Sequence, residues 1–275
     1  MQTYIFLHQV KTAGKTVEKF LIRKFREQYC RTTTIFKDES IANIFSILES
    51  TDADKIAQLN QAQVISGHFP YGLHKLLQSE ARYFTLLRDP VSRIRSYYAY
   101  SMRNDDSKIY QYLTENNISF EQFVEMEPAE IDKTGVHELN YVLENGQAKI
   151  IAGENLIIGQ SSTEHLLQTA EDNIAKHFDF VGVTELFDDA FIEISKLLGF
   201  GPFSLYITQN KSKVKVDISE QAEKVILERN PIDKTLHTKY MNQLKSQSNS
   251  VIHQLARGYL SIGSRAADIY VQLRS

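Results

Sequence analysis

The stretch "FLHQVKTAGKT", residues 6–16, carries an apolar run straight into a small-residue loop with two lysines and two threonines. Strand, tight loop and helix in that order is where backbone N–H groups and a helix N-terminus cradle a phosphate-like anion. Similar short apolar runs recur at 4–8, 63–69, 83–89, 155–159 and 178–185. Runs with nearly every position apolar suit strands buried on both faces of a parallel sheet. Between them lie segments that predict helices at 16–29, 41–49, 53–60, 90–103, 163–176 and 186–198. In the last, Leu186, Ala190, Ile194 and Leu197 share one face. The alternation predicts an α/β fold, P-loop-like, with three layers and a central parallel sheet flanked by helices.

After residue 200 a polar, basic loop gives way to helical segments at about 219–230, 233–245 and 250–273, the last behind the break "SQSNS". The 275 residues read as one domain, with about 246–275 as a C-terminal helical extension. With 42% hydrophobic and 24% charged residues the chain is expected to fold, not to stay disordered. Its 31 basic and 34 acidic residues give a formal charge of -3, so no overall basic field favours nucleic acid, and an anionic ligand must be met by local cations. Cys30 is the single cysteine, which excludes an intramolecular disulfide and a thiolate metal cluster and suits a reducing compartment. No secretory signal and no run of roughly 20 apolar residues is present, so a cytoplasmic protein without a membrane span is expected. The eight histidines are scattered without metal-ligand spacing, and no metal is expected.

Two readings of the loop compete. "AGKT" at 13–16 matches the end of a P-loop, but Gln9 stands where that motif needs its first glycine. A kinase using a degenerate P-loop is one alternative, and a non-catalytic nucleotide-binding protein is another. The second reading starts at Lys11. "KTAGKT" resembles the "PKTAGTS/T" loop that binds the 5′-phosphosulfate in sulfotransferases of the carbohydrate type, the group similar to heparan sulfate 2-O-sulfotransferase, and suggests a soluble, bacterial-like member. Lys11, Thr12, Ala13, Gly14 and Thr16 match; Val10 replaces the proline and Lys15 a small hydroxyl residue.

A second segment supports it. In "YFTLLRDPVSRIRSYYAY" (83–100), Asp89 can cap a helix that Pro90 starts, leaving Arg88 at a strand's carboxyl end. Read blandly, Arg93 and Arg95 form a solvated face. The segment is similar to the family's "LRDP-x-x-R-x-x-S-x-Y/F", in which the Arg and Ser hold a nucleotide 3′-phosphate, a role that falls on Arg88 and Ser96. "HELNYVLENGQAKIIAG" (137–153), "FVGVTELFDDAF" (180–191), "NKSK" (210–213) and "LERNPIDKTLH" (227–237) extend the likeness, which covers about residues 3–240.

The resemblance implies transfer of a sulfuryl group from 3′-phosphoadenosine 5′-phosphosulfate to a hydroxyl, on a saccharide or glycan, leaving 3′-phosphoadenosine 5′-phosphate. Lys11 is the residue to stabilise the leaving phosphate, and Thr12, Ala13, Gly14, Lys15 and Thr16 to hold the 5′ end. His68, at the end of the second run, is the expected base, with a buried structural histidine as the alternative. Lys211 and Ser212 could close over the nucleotide, or belong to a solvated loop. His8 could orient Lys11, touch the nucleotide or simply finish the strand with a hydrogen bond; His74 could face the acceptor or sit on the surface; Glu185 is a second base candidate that reads first as structural. Lys75, Arg82, Arg103 and Lys108 are candidates for a basic cleft. Tyr97, Tyr98, Tyr100, Tyr110 and Tyr112 could stack on a sugar or belong to the core.

Overall fold

A computed structural model of the chain describes residues 2–36, 46–136, 138–154, 159, 162–208 and 216–272, with side chains to residue 263. Five parallel strands form one sheet: β1 (Thr3–Leu7), β2 (Tyr29–Arg31), β3 (Val64–Gly67), β4 (Ala81–Leu87) and β5 (Phe178–Val183). Their order is β2-β3-β1-β4-β5. From β1 the chain crosses to the edge at β2 and returns inward to β3, then passes over β1 to β4 and on to β5, so the connections leaving the neighbours β1 and β4 run in opposite directions. In open α/β sheets such a reversal opens a crevice at the strands' carboxyl ends. The three inner strands are almost wholly buried, which is why they read as continuous apolar runs.

The register explains which sequence expectations held. Four of the five expected strands are present. β2 was not foreseen, because three edge residues ending in Arg31 carry no apolar run; pairing with Val64–Ser66 holds it. The helix expected at 16–29 runs instead from Gly14 to Phe25, ended by Arg26 at φ 50. Of the strand expected at 155–159, residues 155–158 lie outside the described residues. Gly159 sits in a turn with φ 79, its N–H donating to Glu144 Oε2 at 2.7 Å. Of the helix expected at 41–49, residues 46–49 form one 3₁₀ turn and 41–45 lie outside the described residues.

Helices pack against the sheet and bury one core around its strands. A second core joins Ile94 and Tyr97 to Phe120, Phe123, Leu139 and Ile226. The short helices between Lys108 and Ala152 were not expected as separate elements. Caps at Ser107, Ser119 and Glu127 start three of them.

Candidate active site

Because the strands are parallel, His8, His68, Arg88 and Glu185 all follow strand ends on one edge of the sheet. Lys11 (φ 66) and Ala13 (φ 62) both adopt left-handed backbone, at a cost of about 1–3 kcal/mol each. Such strain re-aims the loop so that the helix Gly14–Phe25 starts without a side-chain cap. The N–H groups of Gly14 and Lys15 are then donors for a ligand, while that of Thr16 donates to Ala13 O at 3.0 Å. Thr12 is fully buried, its hydroxyl donating to Gln9 O at 2.9 Å, so its side chain braces the loop from within. Thr16 is buried as well, and Lys15 is exposed. Gly14 is required by packing: a Cβ there would lie 1.9 Å from Nε2 of His8.

Cations gather over the loop. The Lys11 ammonium lies 4.1 Å from the Tyr100 ring centroid, and that of Lys15 lies 5.8 Å from the same ring. Burial, followed by Arg103, Lys15 and Arg88, lowers the Lys11 pKa to about 8. The charges acting on it are thus all of one sign, as in a site awaiting an anion. Arg88 Nη1 donates to Lys11 O at 3.0 Å, and its buried Nε has no hydrogen-bond partner. Burial lowers the Arg88 pKa too, with Glu185 opposing.

Gln147 holds the Arg88 backbone from both sides, accepting from Arg88 N at 2.8 Å and donating to Arg88 O at 2.9 Å. Asp233 braces Gln147 in turn: it accepts from Gln147 N (3.1 Å), Gln147 Nε2 (3.2 Å) and Ala148 N (2.8 Å). Arg93 completes this hub, 3.4 Å from Asp233 Oδ2 and donating to Val142 O at 2.9 Å. The solvated face considered for Arg93 is therefore corrected: Arg93 is 2% exposed, and Arg95 alone is exposed. Asp89 caps its helix through Ser92 N at 3.0 Å, with Pro90 at the first position, and pairs with Lys234 at 2.9 Å. Ser96 is half-buried on that helix and has no hydrogen-bond partner among the described residues. Glu185 accepts from Asp89 N and pairs with His237 at 2.9 Å. Burial would raise its pKa, but these hydrogen bonds hold it low.

His68 places Nδ1 2.8 Å from His8 O. A carbonyl only accepts, so Nδ1 carries the proton and Nε2 keeps its lone pair. Burial, with His8 nearby, lowers the His68 pKa to about 3, which keeps the ring neutral. The rings of His8 and His68 lie 4.3 Å apart, and His8 Nδ1 lies 3.5 Å from Glu18. Glu18, buried, also takes Arg31 at 2.5 Å and the Ser66 hydroxyl at 3.1 Å. Burial opposes its ionisation, yet His8 and Arg31 bring the pKa down to about 2.

Other candidates stand elsewhere. His74 is half-buried with Nδ1 3.0 Å from the Tyr83 hydroxyl and its ring 4.5 Å from His177, toward the opposite ends of the strands. Arg82 pairs with Asp179 at 2.7 Å, at β4's amino end. Of the four cleft cations only Arg103 joins Lys11. Tyr97 is core, Tyr98 packs on Phe120 and Phe123, and Tyr100 alone meets the loop. Cys30 is half-buried in β2, and burial pushes its thiol up to about 11. Lys211 and Ser212 lie outside the described residues. Among the described residues no three His, Cys, Asp or Glu side chains stand together as a metal site, and no helix is long and apolar enough to cross a membrane.

Sequence reasoning missed the roles of Glu18, Gln147 and Asp233. Gln147 and Asp233 lie in the segments 137–153 and 227–237, and nothing in either announces that they meet.

Fold and loop together define a three-layer α/β protein with an uncapped helix start at the switch point of its sheet. A family model described as the sulfotransferase family matches residues 3–260. The chain belongs to the sulfotransferase family and is a transferase of sulfuryl groups. None of the curated proteins compared with the chain matches it.

Proposed function

We propose that the chain transfers the sulfuryl group of 3′-phosphoadenosine 5′-phosphosulfate to a saccharide hydroxyl, with His68 as base. The observation that carries the donor assignment is the single-sign cation set of Lys11, Lys15, Arg88 and Arg103 over an uncapped helix start, with Arg88 Nε buried and unpartnered. The 3′-phosphoadenosine 5′-phosphosulfate supplies the sulfuryl group and a stable phosphate leaving group. The amides of residues 12–15 and Lys15 hold the 5′ end, while Arg88 and Ser96 hold the 3′-phosphate. Nε2 of His68 takes the acceptor hydroxyl proton as the new O–S bond forms. The ammonium of Lys11 neutralises charge on the phosphate oxygen as the old S–O bond breaks. The saccharide acceptor rests on the resemblance of the two anion-binding segments, and a cytoplasmic setting rests on the single, half-buried thiol.

Calorimetric titration with 3′-phosphoadenosine 5′-phosphate against magnesium-ATP, on the wild type and on Arg88→Ala, tests this donor assignment. Metal-independent bisphosphate binding that weakens at least tenfold in Arg88→Ala is expected. Preference for magnesium-ATP overturns it in favour of a kinase. His68→Ala should keep bisphosphate affinity and lose transfer to sugars; unchanged turnover removes His68 from the mechanism.

A further inference from the structure

The helix Val251–Gln272 is apolar on more than the face it docks. His253, Ala256 and Leu260 are buried on the body, against the helix Phe187–Leu197. Polar contacts lock that orientation: His253 Nε2 lies 2.8 Å from Asp189 and Nδ1 3.3 Å from Glu193, and Arg257 Nη2 reaches Asp189 at 2.6 Å. Gly263 fits so closely that a Cβ would meet Leu205 at 2.4 Å. The helix therefore cannot roll to hide its other side.

That other side is open. Val251, Ile252, Leu255, Tyr259 and Ile262 are between 44% and 76% exposed, and Phe203, 5.8 Å from Tyr259, is 51% exposed. Open to this extent, six large side chains make a patch on the order of 700 Å², above the ~300–600 Å² of an ordinary monomer's largest. It is close to the ~800 Å² that each partner brings to a standard interface. Ile252, Leu255, Tyr259 and Ile262 follow at intervals of three, four and three, and the sequence repeats the spacing at Ala266 and Ile269. This is the heptad seam of paired helices. Over residues 251–263, whose side chains are described, the one cation, Arg257, is bound to Asp189, so this part of the stripe lacks the basic fringe that draws amphipathic helices to anionic lipid.

We propose that this stripe, with Phe203, is the seam of a homodimer in which the C-terminal helix pairs with that of a second copy. A two-fold contact of one patch with itself needs a self-complementary surface, and an apolar heptad stripe supplies one.

Sedimentation velocity, over a series reaching tens of micromolar, compares the wild type with Leu255→Glu/Ile262→Glu and with Phe203→Lys. The wild type is expected to dimerise, and the double variant to be monomeric with an unchanged circular dichroism spectrum. Phe203→Lys leaves the helix untouched and should weaken dimerisation at least tenfold, which keeps the test intact if the double variant misfolds. A wild type monomeric throughout overturns the proposal, as does a dimer indifferent to all three substitutions. A monomer that floats with anionic vesicles overturns it in favour of a lipid surface.

Discussion

Gly14→Ala isolates the contact between loop and β1. The φ of Gly14 is ordinary, so the substitution acts only through space: the new Cβ would lie 1.9 Å from Nε2 and 2.0 Å from Cδ2 of His8. Carbon contacts settle at about 3.5–4.0 Å, so the ring must retreat by roughly 1.5 Å or more. It is blocked by His68 at 4.3 Å between centroids, by Phe6 at 5.3 Å and by Glu18 at 3.5 Å. Overpacking costs about 1–3 kcal/mol, and a ring confined on three sides belongs at the upper end, about 3 kcal/mol. In a His8→Ala background the space is vacant, and alanine in a helix is neutral to stabilising by up to ~1 kcal/mol. The coupling between the two positions is then about 3 kcal/mol, read from urea midpoints of the wild type, both single variants and the double variant. Equal cost of Gly14→Ala in both backgrounds would show that something other than the His8 ring dictates the glycine.

Arg93→Met removes one member of a fully buried pair and leaves Asp233 uncompensated, so a loss of about 3–5 kcal/mol in urea unfolding is expected, far more than for the exposed Arg95→Met. Acid stability has two limbs. The pKa of His68 is depressed from 6.5 to about 3, so its contribution is complete above 6.5 and lost as pH falls toward 3. Glu18, depressed from 4.5 to about 2, contributes fully above 4.5 and loses that contribution as pH falls toward 2. His68→Gln should reduce the slope of the urea midpoint between pH 6.5 and 4.5, where His74, lowered to about 4, keeps a share, and an unchanged slope assigns that limb to another group. Lys11, with its pKa near 8, must be protonated to hold an anion, so bisphosphate affinity should fall up to tenfold per unit above pH 8, with proton uptake on binding, separate from the loss below about pH 6 as the phosphates themselves protonate; Lys11→Met should abolish the alkaline dependence alone.

Legibility in the sequence followed burial. β1, β3 and β4 lie inside the sheet, so their composition announced them, whereas β2 is a three-residue edge strand whose Arg31 serves Glu18. The same logic separates site residues. Lys11, Arg88 and the glycine of the loop sat in contiguous segments with a known spacing, and the fold brings them to one edge. Glu18 could not be read, because a glutamate within an amphipathic helix is normally solvated; only the fold shows it turned inward to His8, Ser66 and Arg31. Tyr98 and Tyr100 look alike in sequence, and helical phase alone turns one into the core and the other over Lys11.

The two arginines of "LRDPVSR" show why a motif does not state its own division of labour. Arg88 follows β4, its side chain reaches the loop, and one of its nitrogens is left without a partner. Arg93, one turn into the helix, is buried on Asp233. Asp233 comes from the late segment "NPIDKTL", and Gln147, which it braces, from "ENGQAK"; Asn230 and Asn145 tie the same two segments through Asn145 N to Asn230 Oδ1 at 2.8 Å and Ile232 N to Asn145 Oδ1 at 3.0 Å. Gln147 has both ends of its amide engaged on Arg88, so displacing Asp233 releases the backbone that aims the Arg88 guanidinium. Two segments far from it in sequence thus act on a single arginine. Their shared task is to hold a cation in a crevice where, without the rigid amide clamp, repulsion from Lys11 and burial would drive it out toward water.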